Sequence, residues 1–337
     1  MRARAKAQEC AEKGDHVGKS RWLREARLCE DQLQRKRQQQ SEEASIRFNE
    51  INLFGGISGV ELQSKDYQIA KGISLRTVFA HVMAPYILAF ARAPAGQPHP
   101  GPWRAASGGL GFDVTVQLAI PTNCRPTGFD RLNTIWWTVS LLRLNHATGI
   151  RLPVIADTDF SEAAGGPSDP VFWPMEVAPI IIPFDGPSSV QFIPRTTLDW
   201  IRDNFVSGAS LMEDCRFNAA FRALDSSHHA TSLSAAMILI WSALEALFRP
   251  GRRSVTHRLS LAVATFLRDD PGERDQLYQR SRALYALRGQ ITHAAEAAEF
   301  GCVCESFDLA RNCFLRTIEQ GKIPDITSLS EQWRARI

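Results

Sequence analysis

Two stretches decide how this chain reads: Ser242-Ala-Leu-Glu-Ala-Leu-Phe248, and further on Leu284-Tyr-Ala-Leu-Arg-Gly-Gln-Ile-Thr-His293. The first closes the run from Ala235 to Phe248, apolar except for Ser242 and Glu245. That run is shorter than the roughly 20 residues a bilayer span needs, so it reads as a buried central helix. Glu245 inside it would be costly to bury alone, and Arg258, Arg282 and Arg288 are the candidate partners. The second stretch carries Arg288 and His293 on one predicted helix. A five-residue step turns about 500° around a helix axis and leaves the two side chains roughly 140° apart, so they do not share a face. Either a second protomer or an unwinding of the helix after Gly289 would be needed to bring them onto one group.

Working outward, Gly and Pro thin out after Pro194 and helical periodicity dominates. Helices are expected at Leu198 to Asp203, Leu211 to Leu224, Ser232 to Phe248, Ser254 to Leu267, Glu273 to Ala294 and Phe300 to Gln320. Pro250-Gly251 and Asp269 to Gly272 punctuate them, Ser254 and Thr256 are candidate N-caps, and Asp270-Pro271 opens the fifth. Residues 326–337 read as a tail. Upstream, from Ile51 to Pro194, short apolar runs alternate with Gly and Pro clusters, which suggests strands. Phe112 to Ile120 alternates as a half-buried strand. Thr134 to Leu144 and Val177 to Ile182 read as buried strands, the first with a helix as its alternative. A helix is expected from Leu75 to Ala91, broken near Pro85. Residues 1–47, rich in Arg, Lys, Glu and Gln, read as a solvated helix or flexible extension.

The expected fold class is therefore α+β, a β-rich mixed domain over 48–195 followed by an all-α helical domain over 196–325. With 337 residues the chain exceeds what one core usually fills. A net charge of +3 is too small for a protein that coats nucleic acid nonspecifically, so any such contact must be local. Seven cysteines without paired CxxC blocks argue against a disulfide framework and for a reduced, cytoplasmic setting. Met1 to Ser20 has no apolar leader core. Cys302-x-Cys304 with Cys313 lacks the spacing of a zinc site and reads as thiols buried in a helix. No P-loop, GxGxxG after a strand, HExxH or GxSxG is present, and no cofactor or metal is expected.

In order, Ser242 to Phe248, Ser254 to Leu267, Leu284 to Arg288 and His293 resemble the HEPN superfamily, most closely Apea-like HEPN domains, over about a third of the chain. In that branch a Leu-Glu-Ala-Leu-Phe helix precedes a Tyr-x-x-Arg-x4-His helix. Gly109 to Asp113 and Asn133 to Trp137 extend a weaker likeness to the region that accompanies such domains in bacterial proteins. The resemblance implies an all-α HEPN bundle that dimerises so that Arg and His of both protomers line one cleft. It also implies RNA as substrate, cut without metal, in a toxin or anti-phage defence role with an antitoxin or phage trigger as a further partner.

The chemistry fits those residue types. RNA carries its own nucleophile, the 2′-OH. The protein must then move a proton near neutral pH, which suits His293, and hold developing negative charge, which suits the bidentate fork of Arg288. Glu245 and Tyr285 are supporting residues. Gly289 departs from the polar residue that active members often carry after the motif Arg. The alternative is a noncatalytic HEPN module for dimerisation or for binding RNA or nucleotide. His228 and His229 are candidate basic points before the central helix, and Trp136, Trp137 and Trp173 are candidates for stacking on bases or for core packing.

Overall fold

The computed structural model describes residues 51–95, 97–146, 149–163, 165–166, 169–176, 191–294 and 297–334. The charged segment over 1–47 and the strand expected at Val177 to Ile182 lie outside the described residues. The fold is α+β: an antiparallel half-barrel sheet followed by a set of packed helices. No helix among the described residues is long and apolar enough to cross a membrane.

Six strands form the main sheet: β1 (Leu53–Ser58), β3 (Asp66–Ala70), β4 (Ile73–Ala89), β5 (Trp103–Ile120), β6 (Arg151–Ala156) and β7 (Phe172–Pro174), in the order β3-β4-β5-β1-β6-β7. β2 (Val60–Leu62) and β8 (Gln191–Ile193) pair in parallel as a separate ladder. The strand expected at Phe112 to Ile120 is the inner half of β5, where Val114, Val116 and Leu118 are fully buried.

Two expectations are corrected. Leu75 to Ala91 is not a helix but most of β4, a 17-residue strand. Its outer half, rich in Ala, Met and Leu, lacks a period of two, so local pattern favours helix, and pairing with β5 decides otherwise. That pairing needs Gly109, where a Cβ would stand 2.7 Å from the Ala84 carbonyl oxygen. Thr134 to Leu144 is helical and forms most of α1 (Arg131–Asn145), the alternative already open in the sequence. Asp130 caps it, accepting from the Asn133 N–H at 2.7 Å. Ile135, Trp137, Leu141, Leu142 and Leu144 are buried around its whole girth, which erases the helical stripe. Its threonines are satisfied within the helix: Thr134 donates to the Asp130 carbonyl at 2.7 Å and Thr138 to that of Thr134 at 2.8 Å.

The helical half contains α2 (Arg195–Leu211), α3 (Cys215–Ser227), α4 (Leu233–Phe248), α5 (Val255–Leu267), α6 (Pro271–Ala294), α7 (Phe300–Gln320) and α8 (Ile326–Arg334). α4 is the buried central helix, with Ala236, Met237, Ile240, Trp241, Leu244, Leu247 and Phe248 enclosed and Ser232 capping it by accepting from Ala235 N–H at 3.2 Å. α7 shows the ordinary amphipathic spacing, burying Val303, Phe307, Ala310, Phe314 and Ile318, and stops at Gly321, whose φ of 59° a glycine adopts without strain. Ser254 stands at the N-cap of α5 with φ 52° and no side-chain cap bond, and Asp270 caps α6 through Glu273 N–H at 2.9 Å. The stretch read as a tail carries α8, held by Leu329 and by Trp333 against Tyr278.

Sheet and helices form one compact unit over Asn52–Ile337. α1 is the joint: Arg131 donates to Ile120 at the end of β5 at 2.6 Å, Trp137 to the Phe205 carbonyl of α2 at 3.1 Å, and Arg311 of α7 to Leu144 at 2.5 Å.

Candidate functional site

Leu284, 1% exposed, pins α6 to the core, and residues 281, 285 and 288 recur along that inward side at helical spacing. Tyr285 meets Trp241 of α4 edge to face, ring centroids 5.2 Å apart. Its hydroxyl donates to Glu245 Oε1 at 2.7 Å. Arg288, one turn further on, brings Nη2 to 3.4 Å from the same oxygen and lays its guanidinium over the Tyr285 ring, 5.6 Å from the centroid. Of the three arginines weighed from sequence, Arg288 is thus the one that faces Glu245.

Burial, then the hydrogen bond to Glu245 and that carboxylate's charge, push the Tyr285 hydroxyl up to about 12, so it serves as a donor throughout the physiological range. The Arg288 guanidinium is not saturated. Its Nε is buried and without a partner among the described residues, and Glu245 sits at the long end of ion-pair distance. Arg288 and Glu245 side chains keep 20% and 31% of their surface in solvent. The cluster is therefore a half-open donor site: Nε is closed off from solvent, and the exposed edge of the guanidinium is the part that can donate to an anion approaching from outside.

α6 continues unbroken through Gly289 to Ala294. The unwinding considered from sequence does not occur, and the backbone positions of Arg288 and His293 keep the angular separation of a regular helix. The His293 side chain lies outside the described residues. At Gly289 a Cβ would meet nothing within 4 Å, so the glycine is not demanded by packing.

A basic run was missed in the sequence. One turn after Glu245, the segment Arg249 to Arg258 holds Arg249, Arg252, Arg253, His257 and Arg258, and no Asp or Glu occurs between Glu245 and Asp269. These five side chains are exposed, and the four arginines have no acidic partner among the described residues. Arg249 and Ser254 have φ of 48° and 52°, uncommon for residues with a side chain. The signal is legible as a cation run free of carboxylates, but Pro250-Gly251 marks its first half as a turn and the caps at Ser254 and Thr256 assign its second half to a helix, which splits the run.

The other sequence candidates fall elsewhere. His228 is buried against Phe307, ring centroids 4.9 Å apart. His229 places Nε2 3.5 Å from Glu176 in a second charged cluster. There the Arg143 guanidinium, 1% exposed, meets Glu176, Asp225 at 3.4 Å and the Ile150 carbonyl at 2.9 Å. Burial alone would raise the Glu176 carboxyl, but His229, Arg143 and the Leu152 N–H outweigh it and hold it at about 2. Trp137 is core. Trp136 donates to Asp225 at 2.8 Å and lies under the guanidinium of Arg222. Cys313 is buried while Cys302 and Cys304 are partly exposed, and among the described residues no group of three His, Cys, Asp or Glu could hold a metal ion.

Comparison of the chain with family models, with curated proteins and with solved structures finds no match.

Proposed function

We propose that this chain is a metal-independent endoribonuclease of the HEPN kind, cutting RNA at a cleft formed by two protomers. The observation that carries this reading is the under-filled Arg288 guanidinium, held by Tyr285 and Glu245 and followed on the same helix by His293. In the proposed step the 2′-oxygen attacks phosphorus as its proton leaves to a base. The bond from phosphorus to the 5′-oxygen breaks, and that oxygen takes a proton from an acid. Arg288 holds the non-bridging oxygens, His293 serves as base or acid, and the products carry a 2′,3′-cyclic phosphate and a 5′-hydroxyl. Because one helix sets the two residues on different sides, the partner protomer completes the site. The arginines of 249–258 would neutralise flanking phosphates. A toxin or anti-phage role rests on the resemblance alone.

A second reading, a module that binds RNA without cutting it, is favoured by one feature: the Glu245 carboxylate already faces Arg288 and competes with a phosphate. Incubating end-labelled RNA with the protein in EDTA separates the two. Cyclic-phosphate products that vanish in His293→Ala support the enzyme. Retarded but intact RNA supports the module, and cleavage unchanged in both His293→Ala and Arg288→Ala sinks the assignment.

A further inference from the structure

The outer half of the β4–β5 hairpin carries most of the exposed large hydrophobic side chains among the described residues. Beyond Thr77 on β4 and before Val116 on β5, each strand pairs only with the other among the described residues. Phe79, Met83, Tyr86, Ile87, Phe90 and Trp103 on this ribbon are 56–74% exposed. Ile87 and Leu88, adjacent in a regular stretch of register, point to opposite faces, and both are exposed. At about 200 Å² per large side chain, two-thirds bare, the six present roughly 800 Å² of apolar surface. A monomer's largest apolar patch is normally about 300–600 Å², while each side of a standard protein interface covers about 800 Å².

We propose that this hairpin is a self-association arm that docks on a second copy of the chain. Three properties select that occupant. Among the described residues neither edge of the ribbon has a further strand, so the outward-facing backbone N–H and C=O groups have no ladder partner, the Asp113 carbonyl alone accepting from Ser58 Oγ at 2.5 Å. Lipid cannot satisfy them, because hydrocarbon offers no donors or acceptors and admits strands only in closed barrels. The strand of another copy can. The apolar groups include the aliphatic Met83, Ile87 and Leu88, which give nothing to a phosphate backbone. Finally, no Asp or Glu occurs from 67 to 112, while Arg92 and Arg104 sit near the tip. Antiparallel pairing about a two-fold axis keeps the two cationic tips apart and sets each toward the base of the partner's hairpin, where the Asp113 carboxylate, with Oδ1 2.6 Å from His81 Nδ1, still keeps 56% of its side chain in solvent. The arm does not rest on the ribonuclease reading.

The test compares the full-length chain with the triple variant Met83→Ser, Ile87→Ser, Leu88→Ser by sedimentation equilibrium over the micromolar range. The parent is expected to associate, and the variant to drop one step, tetramer to dimer or dimer to monomer, with the Kd raised at least about tenfold and circular dichroism unchanged. A second experiment avoids folding artefacts: Ala105→benzoylphenylalanine, irradiated in a mixture of light and heavy-isotope chains, should join peptides of 79–112 between light and heavy copies. Identical masses for parent and variant at every concentration overturn the proposal. So do crosslinks confined to one chain, or flotation of the parent but not the variant with phosphatidylglycerol vesicles.

Discussion

Arg143 and Arg288 are both set beside carboxylates where helices meet other elements, and they differ in how fully the protein satisfies them. Arg143 is almost wholly buried, with Glu176, Asp225 and the Ile150 carbonyl around it. Arg288 keeps a fifth of its side chain in solvent, has one carboxylate at long range and leaves its Nε unused. A buried charge without full compensation costs several kcal/mol, so the saturated cluster is built as a joint. A guanidinium that keeps one edge in solvent costs less to maintain, because water satisfies the donors that the protein leaves open. The same residue type thus serves attachment in one place and, on the function proposed above, recognition in the other, and saturation tells them apart.

The sharpest break in that comparison comes from removing each arginine. Arg288→Ala should lower RNA cleavage by about 10³-fold, on the order of 4 kcal/mol of transition-state stabilisation, while lowering the free energy of urea unfolding by under about 1 kcal/mol. Arg143→Ala should do the reverse, costing about 3–4 kcal/mol in urea unfolding with the cleavage rate per folded molecule retained. If Arg288→Ala instead destabilises as strongly as Arg143→Ala, the distinction between the clusters fails.

Acid separates them next. The Glu176 carboxyl is held at about 2, below its ordinary 4.5, so its contribution is fully present above pH 4.5 and fades as pH falls toward 2. A loss of about 2–3 kcal/mol across that window is expected from urea titrations at stepped pH, and Glu176→Gln should flatten it. Alkali probes the other cluster. With Tyr285 raised to about 12, the folded state keeps a proton that the unfolded chain releases near 10, so stability declines between those values. Tyr285→Phe should remove that decline and cost about 1 kcal/mol at neutral pH, read by thermal or urea unfolding. The smallest effect is at Gly289. Nothing occupies the space its Cβ would take, so Gly289→Ala should stabilise by about 0.5–1 kcal/mol through helix propensity, with no change in the burial of Tyr285.

Much of the helical half was legible because its signals are local. Apolar periodicity, Pro250-Gly251 and the Asp270-Pro271 start place the four helices from α4 to α7 within a few residues, whereas α2, expected to end at Asp203, runs on to Leu211 and α3 starts only at Cys215. Glu245 announced a partner by being a lone carboxylate in an apolar run, and Arg288 proved to face it. The Arg143 cluster was not legible, since its members, Arg143, Glu176, Asp225 and His229, come from separated segments with no spacing rule between them. β4 was misread for a related reason. Its outer residues favour helix by propensity, and strand pairing is a contact with residues far along the chain.

The sequence by itself determined where the helices from α4 to α7 lie, that a carboxylate must be neutralised inside the central one, and that Arg288 and His293 share a helix without sharing a face. These follow from composition and the 3.6-residue repeat, which act over a few turns. Only the tertiary structure decided that Tyr285 bridges Arg288 and Glu245, that Arg143 is saturated while Arg288 is not, and that β4 and β5 extend together as a bare apolar ribbon. Those depend on which distant groups reach the same point in space, and backbone pairing and burial there outweigh local preference.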